Sequence, residues 1–252
     1  MIRVGLLGCG NVAEAIAKDS TGFEISALYD VDVRHSKHLS ELTGAPAFEK
    51  FEDFISMDFD IVVEAASVNA VLGHAVSVLK SGKDMVILSV GAFADPEFAA
   101  TVKETARKSG RTVRIPSGAI MGLDNLKIGQ ISEMKSLLLR TTKNPKSLGI
   151  ETDEKILLFS GRADECIKKY PKNINVAVAL EIASGHEVDV ELWADPETDR
   201  NMHEIFAEGE FGEFYLRIMN NPCPDNPATS YLAALSIITL LKNLEEPIKI
   251  GT

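Results

Sequence analysis

The first half of the chain alternates short, mostly apolar runs with stretches whose hydrophobic residues recur at helical spacing. Residues 2–7, 24–29, 60–65, 85–88 and 112–115 read as strands, and residues 13–18, 33–42, 70–80 and 96–109 as the helices between them. Strands that are apolar on both faces belong to a parallel sheet covered by helices on both sides, so the stretch up to about Gly118 predicts a doubly wound α/β unit of the Rossmann type. Past Gly118 the period changes. A helix over 123–134 is followed by segments that alternate with period two: Val188, Val190 and Leu192 against Asp189, Glu191 and Trp193, then Phe214, Leu216 and Ile218 against Tyr215, Arg217 and Met219. This alternation predicts a second, α+β unit with a mostly antiparallel sheet, one face on helices and the other open to solvent or a partner. Residues 136–142 and 155–159 supply two more strands and 174–182 an apolar helix; a last apolar helix, 229–241, is expected to pack back on the first unit. The predicted division is therefore 1–118 with 226–252 for the first domain and 119–225 for the second.

The first strand runs directly into Gly8-Cys9-Gly10-Asn11-Val12-Ala13, which opens a helix. Glycine at the first two fingerprint positions lets the backbone turn tightly and approach a pyrophosphate, and the small Ala13 lets helix pack on strand. The free helix N–H groups face the phosphate charge. The next strand ends in Asp30, where such a motif places its ribose-binding carboxylate. A dinucleotide cofactor follows, with Gly8, Gly10, Asn11, Val12 and Asp30 as its contacts. Asp30, with Asp32 nearby, would repel a 2′-phosphate, so NAD is expected over NADP. The small Ala65, Ala66 and Ser67 lie at the carboxyl end of a central strand, on the ligand edge of an open α/β sheet. A tight strand-to-helix turn would look the same.

Length and composition narrow the class without changing this picture. The 252 residues are 45% hydrophobic, enough for two domains with real cores. A net charge of -11 and a pI near 5.0 argue against nucleic acid or an anionic membrane surface as partner. Cys9, Cys166 and Cys223 are odd in number and lack metal-site spacing, so neither a disulfide framework nor a metal centre is expected, and a reducing cytoplasm fits. No apolar run is long enough to span a membrane, and the first strand starting at Ile2 leaves no room for a signal peptide.

For proton transfer, five histidines compete. His35 and His38 sit on a polar helix, His74 within an apolar one, and His186 in a turn. His203, in Asn201-Met202-His203-Glu204-Ile205 after a strand and turn, is expected in a strand-end loop among groups that can orient an imidazole; it is the candidate, with a structural histidine as the alternative. Pro171-Lys172-Asn173-Ile174-Asn175 puts amides and a cation at a helix start, a place for a carboxamide or an anion, or an ordinary Asn cap. Ser117-Gly118-Ala119 marks either a close approach to a nicotinamide ring or a hinge.

These stretches, with Glu64-Ala65-Ala66-Ser67, the run from Ser117 to Asp124, Ala194-Asp195-Pro196 and Asn226-Pro227-Ala228-Thr229-Ser230, resemble the L-aspartate dehydrogenase family over essentially the whole chain. The resemblance implies a two-domain, usually dimeric enzyme that uses NAD or NADP to oxidise L-aspartate to iminosuccinate. That product hydrolyses to oxaloacetate and ammonia, or feeds quinolinate and NAD synthesis. It implies His203 as the active-site residue, in the cleft opposite the nicotinamide, with Ser117 and Ala119 beside the cofactor and Asn173 contacting it; Asn175 remains the alternative. Lys172 and the Ser67 turn are possible partners for the substrate carboxylates. The competing readings are a homoserine dehydrogenase or dihydrodipicolinate reductase relative, and a non-catalytic NAD sensor. NADH oxidation by oxaloacetate and ammonium would separate them.

Overall fold

The computed structural model describes residues 1–170, 174–223 and 226–250, without the side chains of 174 and 226–229. Two compact units divide the chain: Met1–Pro116 with Ala233–Lys249, and Ser117–Leu232 with Ile250–Thr252.

The first unit runs β1 (Ile2–Leu7), α1 (Asn11–Lys18), β2 (Phe23–Tyr29), α2 (Val33–Thr43), β3 (Ala47–Phe48), α3 (Phe51–Ser56), β4 (Ile61–Glu64), α4 (Val68–Lys80), β5 (Asp84–Ile87), α5 (Pro96–Ser109) and β6 (Val113–Arg114). The six strands form one parallel sheet in the order β3-β2-β1-β4-β5-β6. Each strand buries alternate residues on opposite faces. Val4, Leu6, Ile61, Val63 and Val86 pack with Ala13, Ile16 and Leu39, and Leu7, Val62, Met85 and Ile87 pack with Phe54, Val71, Val78 and Val102. The strand-order reversal between β1 and β4 puts the carboxyl ends of both at the switch point where such sheets take ligands. The sequence reading lacked β3 and α3, because a two-residue strand has no readable period.

The second unit runs α6 (Leu123–Leu126), β7 (Met134–Lys143), α7 (Pro145–Leu148), β8 (Ile156–Arg162), α8 (Ala163–Lys169), α9 (Ile174–Ser184), β9 (Asp189–Ala194), β10 (Asn201–Gly209), β11 (Gly212–Asn220), β12 (Pro222–Cys223) and β13 (Asn226–Ser230). Five strands make a mixed sheet, β11-β10-β7-β9-β8, in which only β7–β9 is parallel. Its inner face, with Leu137, Leu139, Val190, Ile205 and Ala207, packs on Cys166, Ala177, Leu180 and Ala183 of α8 and α9. The expected helix over 123–134 is corrected to α6 followed by a 3-10 turn, Lys127–Gln130. Gly129 explains the stop: a Cβ there would lie 2.8 Å from the Ser184 carbonyl, so this segment is pressed against the end of α9. The last helix, α10 (Tyr231–Leu244), starts after β13 rather than at residue 229. Its Ile237, Ile238 and Leu241 complete the first core in the first unit.

Candidate active site

In the first unit the chemistry gathers at the carboxyl ends of β1, β2, β4 and β5. Gly8 has φ +95 and donates its N–H to the Tyr29 carbonyl at 2.8 Å, which bends the chain sharply out of β1. A Cβ on Gly8 would sit 2.6 Å from the Ala66 Cβ, so the glycine loop lies directly against the turn after β4. Gly10 is different. A Cβ there would meet no protein atom within 4 Å, and Gly10 stands at the α1 N-cap with no side chain bonded to the helix N–H groups. Small residues beside open space and an uncapped helix N-terminus suit a pyrophosphate. Asn11 is exposed and Val12 half-buried in the first turn.

Asp30 holds this loop. Its Oδ2 accepts from the Cys9 N–H at 2.7 Å and its Oδ1 from the Asp32 N–H at 2.8 Å, leaving each oxygen a further lone pair. Burial and the Asp30 charge push the Cys9 thiol up to about 12, so it is an inert part of the loop. Arg34 binds the Asp32 carboxylate at 2.6 Å and 2.9 Å and holds it well below the usual carboxylate range. Ala65 is half-buried, Ala66 and Ser67 are exposed, and the Ser67 hydroxyl caps α4 by accepting from the Ala70 N–H at 3.2 Å.

In the second unit His203 lies in the interior of β10, on its inner face, correcting the expected loop position. It is 6% exposed, and its Nδ1 is 3.0 Å from the Thr141 Oγ1 on the adjacent β7. Burial, and then the charge of Lys143, pull its pKa down to about 3, so the imidazole is neutral at physiological pH. Period two carries Lys143 to the same face as Thr141, and Asn201, paired with Asn220 across β10 and β11, to the same face as His203. One end of an apolar sheet face thus carries Thr141, Lys143, Asn201, His203 and Asn220. Asn220, 4% exposed, donates from Nδ2 to the Ala119 carbonyl at 2.9 Å and accepts at Oδ1 from the Ser230 hydroxyl at 2.6 Å. It therefore ties the segment from Ser117 to Ala119, turned at Gly118 with φ +64, to the strand beside His203. No sequence signal marked Thr141, Lys143 or Asn220.

The other histidines have different surroundings. His74 stacks on Phe51 with ring centroids 3.9 Å apart, the His186 Nδ1 is 2.7 Å from the Glu187 carbonyl, and His35 and His38 are exposed. Lys172 and Asn173 lie outside the described residues; Asn175 is exposed on α9. Among the described residues no cluster of His, Cys, Asp or Glu could hold a metal ion.

The aspartate dehydrogenase C-terminal family matches residues 124–244, and the NAD binding domain of homoserine dehydrogenase matches residues 5–116. An L-aspartate dehydrogenase of Methanospirillum hungatei is 58% identical over 252 residues, covering 100% of both chains. The chain belongs to the L-aspartate dehydrogenase family. The family's enzyme from Methanothermobacter thermautotrophicus is 44% identical over 260 residues, covering 100% of this chain and 99% of its own. The crystal structure of aspartate dehydrogenase from Thermotoga maritima superposes with a TM-score of 0.85 at 31% identity, covering 100% of both chains. The WlbA dehydrogenase from Bordetella pertussis, solved with NADH and UDP-GlcNAcA, shares the fold alone, at 15% identity and TM-score 0.56 over 98% of this chain and 90% of its own. This family member is thus an oxidoreductase with an NAD(P)-binding domain, and no helix among its described residues is long and apolar enough to cross a membrane.

Proposed function

We propose that this family member oxidises L-aspartate at Cα to iminosuccinate, with His203 as the group that moves the proton and NAD as the preferred cofactor. The observation that carries the reading is the buried Thr141–His203 pair at the polar end of an otherwise apolar sheet face. Bound NAD or NADP supplies the hydride acceptor. Gly8, Gly10, Asn11 and Val12 hold the pyrophosphate, Asp30 the adenosine ribose, Ala65, Ala66 and Ser67 the wall beside them, and Ser117, Ala119 and Asn173 the nicotinamide end.

Hydride leaves the substrate Cα only when the neighbouring nitrogen can push its lone pair toward that carbon, so the ammonium must first lose a proton. In the tautomer whose Nδ1–H donates to the Thr141 hydroxyl, the His203 Nε2 presents its lone pair as that base. An imidazole held neutral by burial and by Lys143 carries no extra proton before substrate binds, though its proton affinity is then low. A substrate carrying two carboxylates brings negative charge toward His203 and raises its proton affinity from the low starting value, which favours the imidazolium that the reaction forms. Lys143 and Asn201 offer a cation and an amide donor on the same face, a chemistry matched to carboxylates.

The enzyme also works as a homodimer in a reducing cytoplasm, a setting that suits three buried free thiols. The outer sheet face supports the dimer. Phe206 stacks on Tyr215 with centroids 4.7 Å apart, Arg140 lies over Phe206, and Tyr215 and Met219 are exposed beside them.

Adding oxaloacetate and ammonium together to protein and NADH, and following the near-ultraviolet absorbance of NADH, tests the function. Rapid loss that requires both compounds is expected. Rapid loss with aspartate semialdehyde or dihydrodipicolinate instead would contradict the reading.

A further inference from the structure

Glu64 is fully buried at the end of β4 and takes no part in the chemistry above. Its Oε1 accepts from the Ala66 N–H at 2.8 Å and from the Ser89 hydroxyl at 2.8 Å; its Oε2 accepts from the Leu88 N–H at 3.2 Å and the Ser89 N–H at 2.9 Å. One carboxylate therefore joins the turn after β4 to the loop after β5, both at the ligand edge of the sheet. The same turn is tied to β1 through the Ala65 N–H and Leu7 carbonyl at 2.9 Å, and it is the surface against which Gly8 rests.

We propose that Glu64 is a positioning residue of the dinucleotide cradle: its carboxylate fixes the Ala65–Ser67 turn, and through that turn the glycine loop. The proposal rests on the reading of this loop as the cofactor site. Three of the four partners are backbone N–H groups, which only donate, so the side chain must accept at both oxygens. A glutamine fills the same volume yet turns an NH₂ group toward at least one of those donors. Burial raises the carboxyl pKa above its ordinary value, and the convergent donors offset part of that rise. A carboxylate placed for core stability alone would be expected to affect folding without selectively affecting nucleotide binding; a cradle-positioning residue affects both.

The test is Glu64→Gln in the full-length protein, read by fluorescence titration with NADH, by steady-state kinetics, and by melting with and without NADH. The NADH Kd and the KM for NAD are expected to rise by about tenfold or more, while kcat at saturating NAD and the KM for aspartate stay within about threefold. The upward shift in Tm on adding NADH should shrink. Should Glu64→Gln not fold, Ser89→Ala removes a single donor from Oε1 and is expected to weaken NADH binding several-fold in the same direction, by roughly the worth of one charge-assisted hydrogen bond. A folded Glu64→Gln with wild-type NADH Kd and KM, or a lowered Tm with an unchanged NADH-induced shift, overturns the proposal. So does an unchanged NADH Kd in Ser89→Ala where Glu64→Gln does not fold. A wild-type protein that binds no NADH would instead overturn the cofactor reading.

Discussion

Asp30 accepts a backbone N–H at each carboxylate oxygen, so it shapes the glycine loop as well as serving, in the proposed reading, as the ribose acceptor. The dual role sets an expectation for Asp30→Ser: kcat/KM with NAD falls, the ratio of NAD to NADP efficiency falls by about tenfold or more, and Tm drops because Cys9 and Asp32 lose their acceptor. Cofactor-specific kinetics check it, and an unchanged ratio would place Asp30 outside the ribose site. His203 makes a prediction about pH. Its folded pKa of about 3 lies below the ordinary 6.5, so between those values the unfolded chain binds the extra proton and stability rises with pH. The native state should therefore lose up to about 1.4 kcal/mol per pH unit on acidification through this window, on this group's account. Melting curves of wild type and His203→Gln, near neutrality and about two pH units lower, should show a smaller acid-induced loss of Tm in the variant. Equal losses would mean His203 is not held neutral by the fold.

At the level of elements, the two glycines of the first turn are separable. Gly8 carries a positive φ and rests on the Ala66 Cβ, so Gly8→Ala is expected to cost about 1–3 kcal/mol from backbone strain alone and to lower Tm. Gly10 faces open space, so Gly10→Ala should melt like the wild type yet weaken NADH binding by about tenfold. Calorimetry with and without NADH distinguishes the pair, and a Gly10→Ala that binds as tightly as wild type would contradict the pyrophosphate assignment. The same contrast shows what the sequence made legible. The first unit was readable because its strands are mostly apolar and three of them run into small residues or carboxylates, at Gly8, Asp30 and Glu64-Ala65. β10 was not: Met202 and Phe206 are apolar on the outer face while His203 is polar on the inner one, so its alternation is blurred at the functional position. The helix expected up to Met134 failed for a related reason, since Ile128 and Ile131 repeat at helical spacing but are exposed. Asn220, Lys143 and the four-donor environment of Glu64 depend on strand register and loop contact, which no local pattern encodes.

For the whole molecule, the outer sheet face predicts self-association. Tyr215, whose hydroxyl donates to Glu204 at 2.5 Å, Met219 and Trp193 form a mixed aromatic and polar surface of the kind that pairs with a copy of itself. Light scattering at micromolar concentration should give the dimer mass, and Tyr215→Glu should lower it toward the monomer; a monomeric wild type would contradict the interface. The central claim is the proposed role of His203 as the group that moves the proton in aspartate oxidation, with cofactor binding carried by other residues. His203→Ala tests it most directly, through kcat for aspartate oxidation and NADH Kd measured on the same preparation. The account predicts an unchanged NADH Kd and a kcat lower by roughly 10²–10⁴-fold, the usual worth of a positioned acid or base; a folded variant with near-native kcat would contradict it.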